Sequence, residues 1–162
     1  MREISETLMQ AILMQYAMGD KHHELVVPNS TSIFMWEADL ISVTRSWFVH
    51  EYEIKISRAD YLRDSKKDDK HYYLKCGKQY APNYFWYATI GFDIEPPEHA
   101  GWLKIAYDEK HFRYCVRVMR EARRLHDGKL SEDKRQAVAR LLAWRLANEV
   151  YNRVFNRVEA TP

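Results

Sequence analysis

Apolar positions Leu8, Met9, Ala11, Ile12, Leu13, Met14 and Ala17 recur at helical spacing and cover much of a helix circumference. The pattern predicts a well-buried helix over 4–18, opened near Ser5 and ended by Gly19-Asp20. The period then shortens. Leu25-Val26-Val27 reads as a short strand before a turn at 28–31, and strand-like runs follow at 36–43 and 48–56. Thr44-Arg45-Ser46 between those runs is a short polar break suited to a hairpin. Ser57 fits a helix N-cap, with Asp60 completing a loose capping box. That helix runs through Tyr61 and Leu62 and resumes over 70–74. The aromatic, β-branched run 84–90 reads as a buried strand. A turn at Glu95-Pro96-Pro97 leads to a last strand over 101–107. Two closing helices are expected at 112–125 and 132–156, separated by His126-Asp127-Gly128.

The polar positions of the hairpin carry the chemistry. Reflecting one strand on the other about Arg45 puts Asp39 opposite Glu51 and Glu37 opposite Glu53, with Glu53 diagonal to Asp39. Alternation then places Glu37, Asp39, Glu51, Glu53 and Lys55 on one face. The other face holds Phe48, Tyr52, Ile54 and Ile56, interrupted by His50. Opposed side chains stand ~5 Å apart and diagonal ones ~7–8 Å, and opposed like charges destabilise a sheet. Carboxylates at such spacing can converge on a hard divalent cation such as Mg²⁺. The Lys55 ammonium would project beside that cation, toward a phosphate or a polarised water. A metal-binding, phosphodiester-cleaving site is therefore expected. The competing reading is a solvated Glu-x-Lys charge pair, a spacing that chance produces easily.

Glu6 shares an angular position with Leu13 and Ala17. It either points toward the acidic strands or is an exposed first-turn carboxylate favoured by the helix dipole. Lys66, Lys67, Lys70 and Lys75 follow the Glu-x-Lys strand and are candidate phosphate contacts. Asp64, Asp68 and Asp69 among them fit a solvated helix face equally. His22-His23-Glu24 lacks helical ligand spacing and reads as a turn.

Composition adds bounds. At 162 residues and 46% hydrophobic, the chain is long and apolar enough for one folded domain. Charge is uneven: residues 1–109 carry 12 Lys/Arg against 17 Asp/Glu, a net of −5, and residues 110–162 carry 13 against 6, a net of +7. A basic tail suits a polyanionic partner, and equally a solvated helix surface. Cys76 and Cys115 form no metal or disulfide pattern. No signal-peptide pattern and no run of ~20 apolar residues is present, so a cytoplasmic location without membrane association is expected.

The order helix, strand, acidic hairpin, helix, strand, strand resembles the restriction-endonuclease-like core of the PD-(D/E)xK nuclease superfamily. The residues carrying that resemblance are Asp39 in Trp36-Glu37-Ala38-Asp39, Glu53-Ile54-Lys55 and the run after it to Leu62. The 70–74 segment and the strands at 85–87 and 101–105 also fit. The chain looks closest to small single-domain bacterial and phage members, including those assigned to DNA repair. The resemblance implies an α/β fold with a mixed central sheet flanked by helices over residues 1–108. Residues 109–162 would be a two-helix C-terminal extension packed on the same domain. It further implies a Mg²⁺- or Mn²⁺-dependent deoxyribonuclease in phage DNA processing or repair. Asp39, Glu53 and the Ile54 carbonyl would be metal ligands, Lys55 would orient or help deprotonate the attacking water, and Glu6 would be an optional further acid. Ala38 stands where the motif has Pro. Two other functions remain open: a catalytically silent nucleic-acid-binding member, and an interaction protein forming a homo-oligomer through Leu141, Leu142, Trp144, Leu146, Val150, Tyr151 and Phe155.

Overall fold

The first helix is capped as its sequence suggests: Ser5 Oγ accepts the Leu8 amide, and α1 spans Glu6–Gln15. A single π-helical turn, Tyr16–Asp20, extends it. The computed structural model describes residues 4–31, 33–64, 68–77 and 81–158. By contact density it divides into two compact units, Met1–Lys129 and Leu130–Pro162.

The first unit is built on a six-stranded mixed sheet in the order β1-β2-β3-β4-β5-β6. Its strands are β1 (Leu25–Ser30), β2 (Ala38–Val43), β3 (Val49–Lys55), β4 (Tyr84–Ile90), β5 (Ala100–Asp108) and β6 (Arg113–Arg120). Strands β1 to β3 form an antiparallel meander, β3, β4 and β5 run parallel, and β6 returns antiparallel to β5. Between β3 and β4 lie α2 (Arg58–Asp64) and α3 (Asp68–Cys76). Ser57 Oγ caps α2 by accepting the Asp60 amide at 3.2 Å. The chain is thus α/β with a mixed sheet.

Three expectations fail. Pro28 and Ser30 belong to β1, paired with Leu40 and Ala38, not to a turn. β1 is an edge strand, where a proline's missing N–H breaks no ladder. Residues 112–125 are not a helix. Their first part is β6, in which Tyr114, Val116 and Val118 alternate with Cys115, Arg117 and Met119 and pair with β5. Pairing and β-branched content outweigh the weak helix preference of the arginines and methionine. A two-helix extension is therefore replaced by one helix, α4 (Glu132–Val158). The third failure is the hairpin register, which bears on the site.

Each sheet face has its own core. On one, Met9, Leu13, Tyr16 and Ala17 pack with Leu40, Tyr52, Ile54, Trp86, Ala88 and Leu103. On the other, Leu74 of α3 packs with Phe85, Tyr87, Ile94 and Ala100. The acidic side of the hairpin is therefore roofed by helices. The second unit is the helix α4, which carries i,i+4 and i,i+3 pairs Arg153–Glu149 and Arg135–Glu132 at 2.9 Å. Large apolar side chains, Trp144, Leu146, Val150, Tyr151, Val154 and Phe155, are exposed along it. Among the described residues no helix is long and apolar enough to cross a membrane.

Candidate active site

The hairpin pairs Leu40 with Tyr52, Ile41 with Glu51 and Val43 with Val49. The register is displaced by two residues from the reflection about Arg45, so Ile41, not Asp39, stands opposite Glu51. Continuing the ladder brings Asp39 opposite Glu53. The cause is the loop. Thr44 and Phe48 close it, with the Thr44 amide donating to the Phe48 carbonyl at 2.9 Å. Trp47 takes φ 68°, the left-handed last residue of a three-residue hairpin loop. A displacement of two keeps the parity of each strand, so Asp39, Glu51, Glu53 and Lys55 still share a face.

Burial on that face is deep. Glu51 is 0% exposed, Glu53 3%, Lys55 4% and Lys70, from α3, 6%. Buried charges persist only when paired and hydrogen-bonded. Lys55 Nζ donates to Glu53 Oε1 at 2.7 Å, and Lys70 Nζ reaches Glu53 Oε2 at 2.5 Å and Glu51 Oε1 at 2.7 Å. Trp36 Nε1 donates to both Glu51 oxygens at 2.9 and 3.1 Å. Burial pushes the Glu51 carboxyl up, while Lys70 and Trp36 pull it back. Burial works against the Lys70 ammonium, but Glu51 and Glu53 outweigh it and raise its pKa. The same balance, with Glu53 and Asp64 as the anions, raises Lys55.

Asp39 differs from its neighbours. Its Oδ2 accepts the Ile54 amide at 2.7 Å, which fixes the carboxylate at the peptide between Glu53 and Lys55. Its own carbonyl accepts from Gln10 of α1, whose amide also donates to Asn29. Among the described residues no cationic side chain forms an ion pair with Asp39. Burial first, then the Glu53 charge, push its pKa up to about 7; Ile54 and Lys55 oppose the rise, and Glu6 adds to it. Glu6 is exposed at the start of α1, within electrostatic reach of Asp39. Glu37 is exposed to solvent.

Sequence reasoning missed a second group on this face. Asp64, at the end of α2, stands 3.5 Å from Lys55 Nζ. Its Oδ2 accepts the Tyr87 hydroxyl at 2.6 Å and lies 3.4 Å from His71 Nε2. His71 Nδ1 in turn meets His99 Nε2 at 3.1 Å. Burial would raise Asp64, but His71, Tyr87 and Lys55 outweigh it and hold it well below the usual carboxylate range. Burial lowers His99 to about 4, so it is neutral at neutral pH. The Asp64 carboxylate, an acceptor only, calls for a proton on His71 Nε2, and His71 Nδ1 and His99 Nε2 share one proton between them. Asp64 sits seven residues before His71 on the helices that roof Glu53, a spacing with no signature of its own.

The basic candidates divide. Lys66 and Lys67 lie outside the described residues. Lys70 is buried in the acidic cluster, not on the surface where a phosphate contact was expected. His23 lies in the connection before β1, in keeping with the turn expected there; its Nδ1 bonds with Ser42 Oγ at 2.6 Å and its ring lies tilted 4.6 Å from that of His50 on the opposite face. Cys76 and Cys115 are free thiols. Among the described residues no group of three or more His, Cys, Asp or Glu side chains is placed to hold a metal ion.

No protein-family model matches the chain, and no curated protein matches it. Among solved structures, the SPO1766 protein of unknown function from Silicibacter pomeroyi has a similar fold. The TM-score is 0.61 at 18% identity, over 99% of this chain and 98% of that one. The likeness extends the fold to a second protein and leaves its chemistry to be argued from the site.

Proposed function

We propose that this chain is a Mg²⁺- or Mn²⁺-dependent phosphodiester hydrolase acting on DNA, on a restriction-endonuclease-like core, in phage DNA processing or repair. One observation carries the reading. Asp39 is a partly buried carboxylate with no ion pair among the described residues, pinned by the Ile54 amide between Glu53 and Lys55. A carboxylate so placed beside a second carboxylate is stabilised by a cation. Asp39 and Glu53 with the Ile54 carbonyl would be its protein ligands, and Glu6, whose charge is felt at Asp39, would be the optional further acid. Hard oxygen donors, two of them carboxylates, suit Mg²⁺, which keeps waters and substrate phosphates as its other ligands. For that metal a cluster of three acids is not required.

A bound Mg²⁺ or Mn²⁺ supplies Lewis-acid chemistry, lowering the pKa of its water and polarising a phosphoryl oxygen. The protein's own groups do the rest. Asp64 and Glu53 keep Lys55 charged, so its ammonium can donate to a phosphate oxygen or orient the attacking water. Tyr87 and His71 fix Asp64, and Lys70 neutralises Glu51 and shares Glu53. Lys55 and Lys70 hold the two Glu53 oxygens, so a cation taken up at Glu53 would compete with them.

Incubation with plasmid and single-stranded DNA in Mg²⁺ or Mn²⁺ tests the proposal, beside Asp39→Asn and Lys55→Ala. Cleavage should vanish in both variants, while Lys55→Ala should bind Mn²⁺ at least as tightly as the wild type by calorimetry. DNA binding without cutting by the wild type would point to the catalytically silent alternative. The exposed apolar side chains of α4 favour one further reading, homo-oligomer formation through that helix, which light scattering decides.

A further inference from the structure

On the roofed side of the sheet lies a cavity of ≈ 460 Å³ lined by Tyr61, Tyr72, Tyr87, His71, His99 and Lys75. That volume falls within the about 300–1,000 Å³ of small-molecule sites. Its walls are mostly rings. Tyr61 and Tyr87 meet edge to face at 5.1 Å, and the His71 and His99 rings lie 5.3 Å apart. Several of their polar atoms are turned to partners within the protein. The Tyr61 hydroxyl donates to the Glu95 carbonyl at 2.7 Å, the Tyr87 hydroxyl to Asp64, and the two histidines bond to each other. Tyr87, His99 and His71 are themselves only 1, 2 and 8% exposed and form the buried back of the cavity, so its accessible lining is the rings of Tyr61 and the half-exposed Tyr72, with Pro97 and the exposed Glu95 and Lys75 side chains beside them. A flat, neutral aromatic ligand with an anionic neighbour is complementary to such walls.

We infer that this cavity receives an unpaired nucleobase of a DNA strand whose adjoining phosphate is presented to Lys55. The inference rests on the reading of Asp39, Glu53 and Lys55 as a phosphodiester site. The connection is short. Tyr87 and His71, two of the walls, both contact Asp64, and Asp64 stands 3.5 Å from Lys55. Stacking on aromatic side chains is indifferent to base identity, because every base has a π face. A base inside a duplex has both faces covered and its edge paired, so only one lying outside the stack can enter. The site therefore selects single strands, flaps or frayed ends over intact duplex.

The test separates binding from cutting. Fluorescence anisotropy in EDTA compares a short labelled oligothymidine, a base-free deoxyribose-phosphate chain of the same length and a duplex. The wild type should prefer the oligothymidine. Tyr72→Ala should weaken that binding about 5- to 140-fold, the range of one base–aromatic stack, and Tyr72→Phe should restore it. Tyr72 is 57% exposed, so the variant should fold, as a thermal melt would verify. Equal affinity for the intact and base-free chains, no single-strand binding, or indifference to Tyr72→Ala overturns the inference. Cleavage in Mg²⁺ is scored apart. A wild type that binds through Tyr72 yet cuts nothing supports the pocket and overturns the hydrolase. One that cuts while Tyr72→Ala binds normally does the reverse.

Discussion

Replacing Lys70 by Met removes the ammonium shared by Glu51 and Glu53 but keeps most of its volume. Glu53 retains Lys55 at 2.7 Å, whereas Glu51, fully buried, keeps the Trp36 N–H donor. Breaking a buried ion pair from one side costs about 3–5 kcal/mol. Protonation limits the cost, because Glu51 can become neutral instead of staying charged. At pH 7 that limit is 2.7 pH units above an unfolded glutamate pKa of about 4.3, at about 1.36 kcal/mol per unit, or about 3.7 kcal/mol. The sign follows from the raised folded pKa: the loss is absent below pH ~4.3 and grows as pH rises. At pH 5 the same arithmetic gives only about 1 kcal/mol. Urea unfolding followed by tryptophan fluorescence at the two pH values measures both. Lys70→Met combined with Glu51→Gln should recover most of the loss, since the amide oxygen still accepts from Trp36. A loss equal at pH 5 and pH 7, or one that Glu51→Gln deepens, would refute the electrostatic account in favour of simple packing.

Three further expectations can be checked in the same way. In EDTA, Asp39→Asn should melt at or above the wild-type temperature, because repulsion with Glu53 is relieved and an amide oxygen can still accept from Ile54; a drop of several degrees would contradict this. His23 and His50, whose folded pKa values are lowered to about 4 and about 3 by burial, stay neutral in the fold while the unfolded chain protonates near pH 6.5. Stability should therefore be fully present above pH ~6.5 and fall as pH drops toward 4, by up to about 1.4 kcal/mol per unit for each histidine, with a flatter profile in His50→Gln. Gly101→Ala should cost about 1–3 kcal/mol by denaturation, since a Cβ there would lie 2.5 Å from the Trp86 ring and 2.7 Å from the Ala122 amide nitrogen.

The sequence by itself determined which side chains share a face. Strand alternation has a period of two, so Asp39, Glu51, Glu53 and Lys55 stay together under any even displacement of register. The run 84–90 and the capped starts of α1 and α2 were likewise local matters, set by β-branched and aromatic content and by Ser5 and Ser57. The alternation of Tyr114, Val116 and Val118 was also present, but arginines and methionine masked it until β5 supplied a partner. Tertiary structure alone decided how far the two hairpin strands slide. Trp47 in the left-handed region shifts the three-residue loop by one residue, centring it on Ser46, and moves Asp39 from Glu51 to Glu53. It alone brought Lys70 to Glu53 from 17 residues away and joined Asp64, His71 and His99 into one chain of contacts. A buried carboxylate is tolerated only where a cation or donor meets it, and partners from separate elements meet through packing, which no local pattern encodes.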